Sequence, residues 1–355
     1  MRFVALRETS ACLPRCLAVA YLFLVRPMTR YTFICTLVLS ILAVRSHADV
    51  SLSNRTVMHF TSPSEAKKVL TTKDDFIRHL SPFDRSARMK ADKPVSEDEF
   101  LTFVGKNVSA WTEEEIQTVQ GAVQKIEPRL RDLPLSFPTT VQLIKTTGAE
   151  EGNAAYTRGT AIVISKVELS KTQSELEKII CHELFHILSR HNPKLRERLY
   201  AIIGFIPCDE VKFPRELASH RITNPDAPRN DHFIRLSIAG QRCLAVPILF
   251  SNAEVYDVQK GGEFFEYLNF QFLVMDKSAK PGRLTTVYEN GRPKLIGLQE
   301  VSGFFEQVGR NTQYVIHPEE ILADNFALLI LEKHDGPSPE ILRKMEESLF
   351  RKTRA

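Results

Sequence analysis

The sequence IICHELFHIL at residues 179–188 contains two histidines and a glutamate surrounded by apolar side chains. Upstream, Thr172 and Glu175 form a capping box, which predicts a helix that begins here and runs to about Pro193. The apolar flanks are typical of a buried helix rather than a surface helix. Burying such polar groups costs free energy unless a metal ion or hydrogen bonds satisfy them.

His182 and His186 lie four residues apart, so a helix places both imidazoles on one face, where they can hold one metal ion. Glu183 lies one position round the helix, beside the metal rather than on it. This position suits a general base for a metal-bound water, and Zn²⁺ is the expected ion because it lowers the pKa of such a water towards neutrality. The alternative is a surface helix with coincidental histidines, which the apolar flanks disfavour.

A catalytic zinc ion has three protein ligands and one open position. The residues directly after HExxH do not supply the third ligand, because Ser189 and Asn192 stand where the metzincin pattern needs glycine and histidine. Downstream, Pro318 opens a predicted helix on which Glu320 and Asp324 share a face. One carboxylate can ligate zinc while the other accepts a hydrogen bond from a ligating imidazole. The alternative is a solvated acidic first turn, which the helix dipole also favours.

HExxH at residues 182–186 together with ExxAD at residues 320–324 resembles the gluzincin branch of the zincin metallopeptidases. The resemblance implies a zincin-like domain that hydrolyses peptide bonds, with Glu320 as the third zinc ligand and Asp324 orienting the first histidine. The third ligand lies 134 positions after the second histidine, from 186 to 320, which implies a large insertion. The Gly-x-Met-Glu-Asn signature of aminopeptidases is absent from the sequence, so aminopeptidase activity is not predicted.

The resemblance also implies a substrate-binding strand. In zincins the strand before the active-site helix is an edge strand that pairs with the substrate backbone, an interaction that gives affinity with little side-chain selectivity. The β-branched residues 160–165 form the matching strand here, after a first strand at residues 139–146. The residues expected to bind substrate are Thr160, Ala161, Ile162 and Val163. The alternative is an ordinary strand inside a sheet.

Many zincins stabilise the oxyanion with a tyrosine or histidine across the cleft. Tyr314 is the residue selected for this role by residue type. The other candidates are His317, His232 and Tyr156. A different class of function is a zinc-containing binding or scaffold protein without turnover. In that case a fourth protein ligand, such as His317 or Cys181, would close the position that water needs.

Periodicity along the rest of the chain predicts an α+β fold. Residues 49–135 form a mixed, mainly helical segment, whose longest helix Pro128 is expected to end or kink. Residues 136–355 form the predicted catalytic domain, with a β-rich insertion at about residues 200–316 and helices after Pro318. The order of strands, helix, β-rich middle and helices is the basis of this prediction.

The net charge of +4 resides in the N-terminal part of the chain. Residues 1–48 contain six Arg, no Lys and one acidic residue, which leaves 41 basic and 42 acidic residues in the remainder. This near-neutral body has no basic stripe, so nucleic acid is not an expected partner. The expected partner is a peptide or protein substrate.

Residues 1–48 have the pattern of an export signal. Arg30 precedes an apolar run at residues 31–44, and the small residues Ser46 and Ala48 suit cleavage after Ala48. Met28 makes a better start than the first residue, because it places the charged and apolar regions in the usual order. The pattern predicts a secreted or periplasmic protein, and an uncleaved membrane anchor is the alternative.

The remaining part of the chain contains three cysteines, Cys181, Cys208 and Cys243. An odd number allows at most one disulfide within the chain. Cys208 and Cys243 are the plausible pair in an oxidising compartment, and three free thiols are the equally weighted alternative.

Overall fold

The β-branched segment TVQLIKT forms the central strand of a five-stranded mixed sheet, sheet A. Its strands are β1 (Val50–Ser53), β2 (Thr56–Phe60), β3 (Thr140–Thr146), β4 (Tyr156–Arg158) and β5 (Ala161–Ser165). Their order across the sheet is β1-β2-β3-β5-β4. Strand β3 runs parallel to β2 and β5, and the strand at each edge is antiparallel to its neighbour. Every residue of β5 is buried, which is typical of an internal strand.

The structure is a computed structural model that describes residues 49–132 and 134–350. Its helices are α1 (Pro63–Leu70), α2 (Asp75–His79), α3 (Pro82–Arg88), α4 (Glu97–Asn107), α5 (Glu113–Asp132), α6 (Lys166–Leu169), α7 (Gln173–His191), α8 (Pro193–Ile202), α9 (Arg215–Ala218), α10 (Phe305–Val308), α11 (Pro318–Ile330) and α12 (Pro339–Phe350). Within the described ranges, no helix is both long and apolar enough to cross a membrane. The predicted leader, cleavage site and alternative anchor at residues 1–48 lie outside these ranges.

Helix α7 carries the HExxH motif and begins where the capping box predicts. The Thr172 hydroxyl accepts a hydrogen bond from the Glu175 amide at 3.4 Å, and the Glu175 carboxylate accepts one from the Thr172 amide at 3.0 Å. The helix ends at His191, and Pro193 opens the next helix. Pro128 does not end α5, which continues through this residue to Asp132.

The β-rich middle predicted at about residues 200–316 is confirmed. Most of its strands form an antiparallel sheet, sheet B, centred on β7 (His232–Ile238), β8 (Gln241–Ser251) and β9 (Leu268–Lys277). The shorter strands are β6 (Phe205–Pro207), β10 (Leu284–Thr286), β11 (Tyr288–Glu289), β12 (Arg292–Pro293), β13 (Leu295–Ile296) and β14 (Val301–Ser302). Of these, β11 and β12 pair only with each other.

One apolar core connects the two sheets and the helices, so the fold is α+β. The core includes Val50 of β1, Phe185 of α7, Phe272 of β9 and Met345 of α12. The predicted boundary near residue 135 therefore does not divide the chain into two structural units. Strands β1 and β2 complete the sheet that β3 and β5 begin, and the described residues belong to one compact unit.

The three cysteines of the described ranges are free thiols. Cys243 packs on the same core as Ala245, whereas Cys208 packs on the separate apolar cluster that contains Val246. Alternate residues of a strand face opposite sides of a sheet. Cys208 and Cys243 therefore lie on opposite faces of sheet B, which explains why they are not joined. Cys181 is fully buried in the main core.

Candidate metal centre

Helices α7 and α11 pack together and bring three predicted ligands to one point. Nε2 of His182 lies 3.1 Å from Oε2 of Glu320, and Nε2 of His186 lies 3.8 Å from the same oxygen. The ligand atoms of the three residues all lie within 4.8 Å of one another. The i, i+4 spacing on one helix and a carboxylate from a second helix thus produce a group that could hold a metal ion.

The second nitrogen of His182 faces Asp324, one turn after Glu320 on α11. Nδ1 of His182 lies 3.1 Å from Oδ1 of Asp324, so the ring N–H can donate to the carboxylate and leave Nε2 for a metal. The Thr312 hydroxyl also donates to Asp324, and the ammonium of Lys178 lies 3.6 Å away. The structure therefore places Asp324 where the sequence predicts it.

His186 has a matching contact that the sequence analysis did not assign. Its Nδ1 lies 3.2 Å from Oε1 of Glu319, while Oε2 of Glu319 accepts hydrogen bonds from Ser189, at 2.8 Å, and from Tyr200. Nε2 of His186 is buried and has no hydrogen-bond partner within the described residues. A buried ring nitrogen of this kind fits a metal ligand, because an unsatisfied polar atom is otherwise costly.

Glu183 does not belong to the group of His182, His186 and Glu320, but one of its oxygens lies within 4.8 Å of possible ligand atoms of His186 and Asp226, a second group that could hold a metal ion. It is 4% exposed, and its Oε2 also lacks a hydrogen-bond partner in the part of the chain that the structure describes. Burial, and then the negative charge of Asp226, raise the pKa of Glu183. A carboxyl group that has a raised pKa and lies next to a candidate metal site is suited to accept and donate protons during a reaction.

The charges of the site strongly shift the pKa values of the ligands. Burial lowers the pKa of His186, but the charges of Asp226 and Glu320 outweigh it and raise the pKa to about 9. For His182, burial is outweighed by the hydrogen bonds to Asp324 and Glu320, which raise its pKa well above the usual value. The pKa of Glu320 is lowered because the histidines outweigh its burial. A divalent cation could replace the two imidazolium charges.

Two site residues come from a loop in the middle of the chain and were missed. Asn224 donates from Nδ2 to Oε1 of Glu320 at 2.5 Å. A carboxylate oxygen of Asp226 lies within 4.8 Å of ligand atoms of Glu183 and His186. The sequence signal was only a turn, Asn-Pro-Asp, with nothing to connect it to a helix some forty residues earlier.

The proposed oxyanion donors differ in their surroundings. Tyr314 is 42% exposed, and burial of its hydroxyl end followed by the charges of Glu320 and Asp226 raises its pKa well above the usual value. The other three candidates have structural partners: His317 accepts from the Glu319 amide, His232 lies between Glu197 and Asp231, and the Tyr156 hydroxyl donates to Glu150. Tyr314 therefore stays the predicted donor.

The expectation of an edge strand at residues 160–165 was wrong. Strand β5 lies inside sheet A, because β4 pairs with its outer side, and Ala161, Ile162 and Val163 face Arg158, Thr157 and Tyr156. Thr160 precedes β5 and is exposed. The edge of the sheet beside α7 is β4, so any pairing of a substrate strand with sheet A would take place there.

Two cavities border the site. One of ≈ 420 Å³ is lined by Thr157, Gly159 and Asp226 among others, and one of ≈ 390 Å³ is lined by Ala155 and Glu183 among others. Asp226 lines the first cavity and Glu183 the second, and carboxylate oxygens of the two residues lie within 4.8 Å of each other. The first cavity therefore borders the edge of sheet A, and the second borders Glu183.

Comparison of the chain with models of known protein families, with curated proteins and with solved structures gives no match.

Proposed function

We propose that this protein is a zinc-dependent peptidase of the gluzincin type within a zincin-like fold. His182, His186 and Glu320 would hold the zinc ion, and Glu183 would act as the general base. The observation that carries the proposal is the paired arrangement of the two imidazoles. Each has Nδ1 against a carboxylate of α11 and Nε2 directed to Glu320, an arrangement typical of metal-bound histidines.

When bound, zinc lowers the pKa of a water molecule and polarises a carbonyl oxygen. Glu183 removes a proton from the attacking water and later delivers it to the amide nitrogen of the leaving group. Asp324 and Glu319 fix the ring orientation of the two histidines. Tyr314, whose raised pKa keeps the hydroxyl protonated, donates a hydrogen bond to the oxygen of the scissile carbonyl.

The donor set and the adjacent Glu183 support zinc as the metal ion. Two imidazole nitrogens and one carboxylate are the protein ligands of several hydrolytic zinc sites, in which the fourth position is left for water or substrate. Magnesium and calcium favour oxygen ligands, which does not fit a site with two histidines. Glu183 would lie beside the bound metal ion, where it can act as the general base.

A second function of another class is a zinc-containing binding or scaffold protein without turnover. Cys181 and His317 do not support it as ligands, since Cys181 packs in the core and His317 caps α11. The carboxylate of Asp226 does favour it, because a fourth protein ligand would fill the position that water needs.

The test of the peptidase proposal is Glu183→Gln compared with Glu177→Gln, a control on the same helix. Glu183→Gln should retain zinc and lose roughly 10²–10⁴-fold of the hydrolysis rate on a mixture of fluorogenic peptides, the usual contribution of general acid–base catalysis. The control should keep both properties. Equal hydrolysis by both variants would show that the activity does not use Glu183.

A further inference from the structure

The segment Asn224–Pro225–Asp226 lies directly on the candidate metal centre, although it is remote from both motifs in the sequence. Asn224 holds it there, because its Nδ2 donates to Glu320 and its Oδ1 accepts from the Asp226 amide at 2.9 Å. Pro225 between them is buried. The backbone of this loop is therefore fastened to the carboxylate that is the proposed third ligand.

Asp226 also occupies the edge of sheet A. Its Oδ1 accepts from the backbone amide of Thr157 at 2.7 Å and from the Thr157 hydroxyl at 2.5 Å. Arg190 donates to the Gly159 carbonyl at 2.8 Å and to the Asp226 carbonyl at 3.3 Å. The Thr157 amide and the Gly159 carbonyl are backbone groups that a substrate strand would use for pairing, and both already have partners within the chain.

The same carboxylate lies beside His186, the residue that this group shares with the candidate metal centre, and beside Glu183. An oxygen of Asp226, an oxygen of Glu183 and a ring nitrogen of His186 lie within 4.8 Å of one another. His186 is fully buried and Glu183 nearly so, and Nε2 of His186 and Oε2 of Glu183 have no hydrogen-bond partner in residues 49–132 and 134–350. The carboxylate that the neighbouring loop supplies thus lies beside two buried residues that each have an unsatisfied polar atom.

We propose that Asp226 is a fourth metal ligand and that the segment Asn224–Asp226 is a removable plug, which closes the metal position and covers β4 in the resting protein. This inference rests on the proposed zinc peptidase function. With Asp226 bound, two neutral imidazoles and two carboxylates balance the charge of a divalent cation and leave no open position for water. With the plug displaced, the position next to Glu183 opens and the Thr157 amide is free.

The plug competes with the substrate for the same groups. A peptide that adds a strand to β4 supplies a carbonyl for the Thr157 amide and an amide for the Gly159 carbonyl, so it replaces the contacts of Asp226 and Arg190. A substrate therefore binds only to the fraction of molecules in which the plug is open, and its apparent affinity is reduced by that fraction. An extended peptide segment is the substrate class that satisfies all of these groups together.

The test uses Asp226→Asn in the full chain, because asparagine keeps the shape of aspartate and one acceptor oxygen for Thr157 but is a much weaker metal ligand. We expect the variant to retain zinc with an affinity at least ~10-fold lower, measured by competition with a chromophoric chelator. The visible absorption spectrum of the Co²⁺-substituted protein should change, since a carboxylate ligand is replaced by solvent. Hydrolysis of fluorogenic peptides should rise roughly 10-fold or more.

Two further variants support the comparison. Thr157→Val removes the hydroxyl that holds Asp226 without touching the metal, and we expect a smaller rise in hydrolysis with unchanged zinc affinity. Asp209→Asn, an exposed position in the loop after β6, is the matched control and should behave as the wild type. Circular dichroism shows whether each variant is folded.

The outcomes separate the plug from the peptidase proposal. Zinc affinity and a Co²⁺ spectrum unchanged in Asp226→Asn would overturn the assignment of Asp226 as a ligand, while zinc binding itself would stand. Weaker zinc binding without any rise in hydrolysis would overturn the plug and give Asp226 a structural role. Absence of zinc from the folded wild type would overturn the peptidase proposal and the plug with it.

Discussion

Replacing Glu319 with glutamine tests whether the site was built around a metal. Glu319 is 3% exposed, and its two oxygens contact Nδ1 of His186, the Ser189 hydroxyl and the Tyr200 hydroxyl. Glutamine keeps the shape and one acceptor oxygen for the imidazole, but it removes the negative charge. Its amide group must then face two hydroxyls that donate to the carboxylate in the wild type, so at least one of these contacts has to reverse or break.

The expected cost to metal binding follows from the role of such contacts. Removing a carboxylate behind a ligating histidine typically lowers metal affinity by about 10–100-fold, or roughly 1.4–2.8 kcal/mol. The unfolding free energy of the metal-free protein should fall by about 1–3 kcal/mol, because buried donors lose a charged acceptor. Glu340→Gln, at the exposed start of α12, is the control for removal of a helix N-terminal charge.

The assay is equilibrium competition for zinc between the protein and a chromophoric chelator near neutral pH. We expect the affinity of Glu319→Gln to fall in the stated range and that of Glu340→Gln to equal the wild type. A wild-type affinity for Glu319→Gln would refute the argument that the Glu319 contact orients a metal-ligating imidazole. The contact between Glu319 and His186 would then be a structural hydrogen bond with no role in metal binding.

Two further predictions concern protons and packing. Because the pKa of His186 is raised to about 9 in the metal-free protein, zinc should displace protons at neutral pH and bind more tightly as the pH rises towards 9. Calorimetry in buffers of different ionisation enthalpy measures the number of protons released, and a value of zero would contradict this prediction. For the same reason the metal-free protein should lose stability as the pH rises from about 6.5 to 9, since the folded state holds a proton that the unfolded chain releases. Phe185→Ala should cost about 3–5 kcal/mol in denaturant unfolding, because the fully buried ring packs 5.7 Å from that of Phe326 and joins α7 to α11; a cost below ~1 kcal/mol would contradict this.

Local sequence patterns predicted helix α7 and the residues that share one face of a helix. The capping box at Thr172 places the start of α7, and the i, i+4 rule places both histidines on one face. The same rule puts Glu320 and Asp324 on one side of α11. These predictions succeeded because each depends on residues fewer than five positions apart.

The contacts that could not be predicted from the sequence depend on packing between residues far apart in the chain. Whether Glu319 or Glu320 faces His182 is decided by the rotation of α11 against α7, which a helical period alone does not set. The Asn224 and Asp226 side chains reach the site only because their loop packs across β4 and α7. The sequence of this loop indicates a turn and nothing about its destination.

The edge of sheet A was misplaced for a local reason. Gly159, with a φ of 59°, makes a tight turn between Arg158 and Thr160, so the segment folds back as two antiparallel strands. The short strand β4 contains three residues and carries only a weak alternation signal. The longer apolar segment β5 was therefore mistaken for the edge, although its continuous burial is typical of an internal strand.

Metal analysis of the purified protein shows whether His182, His186 and Glu320 hold one zinc ion, as we propose. Purified wild-type protein and Glu320→Ala would be analysed side by side by atomic emission after dialysis, with circular dichroism to establish that both are folded. We predict one zinc per chain in the wild type and its loss in Glu320→Ala. A folded wild type without zinc would contradict the claim, and equal zinc in both proteins would contradict the assignment of Glu320 as a ligand.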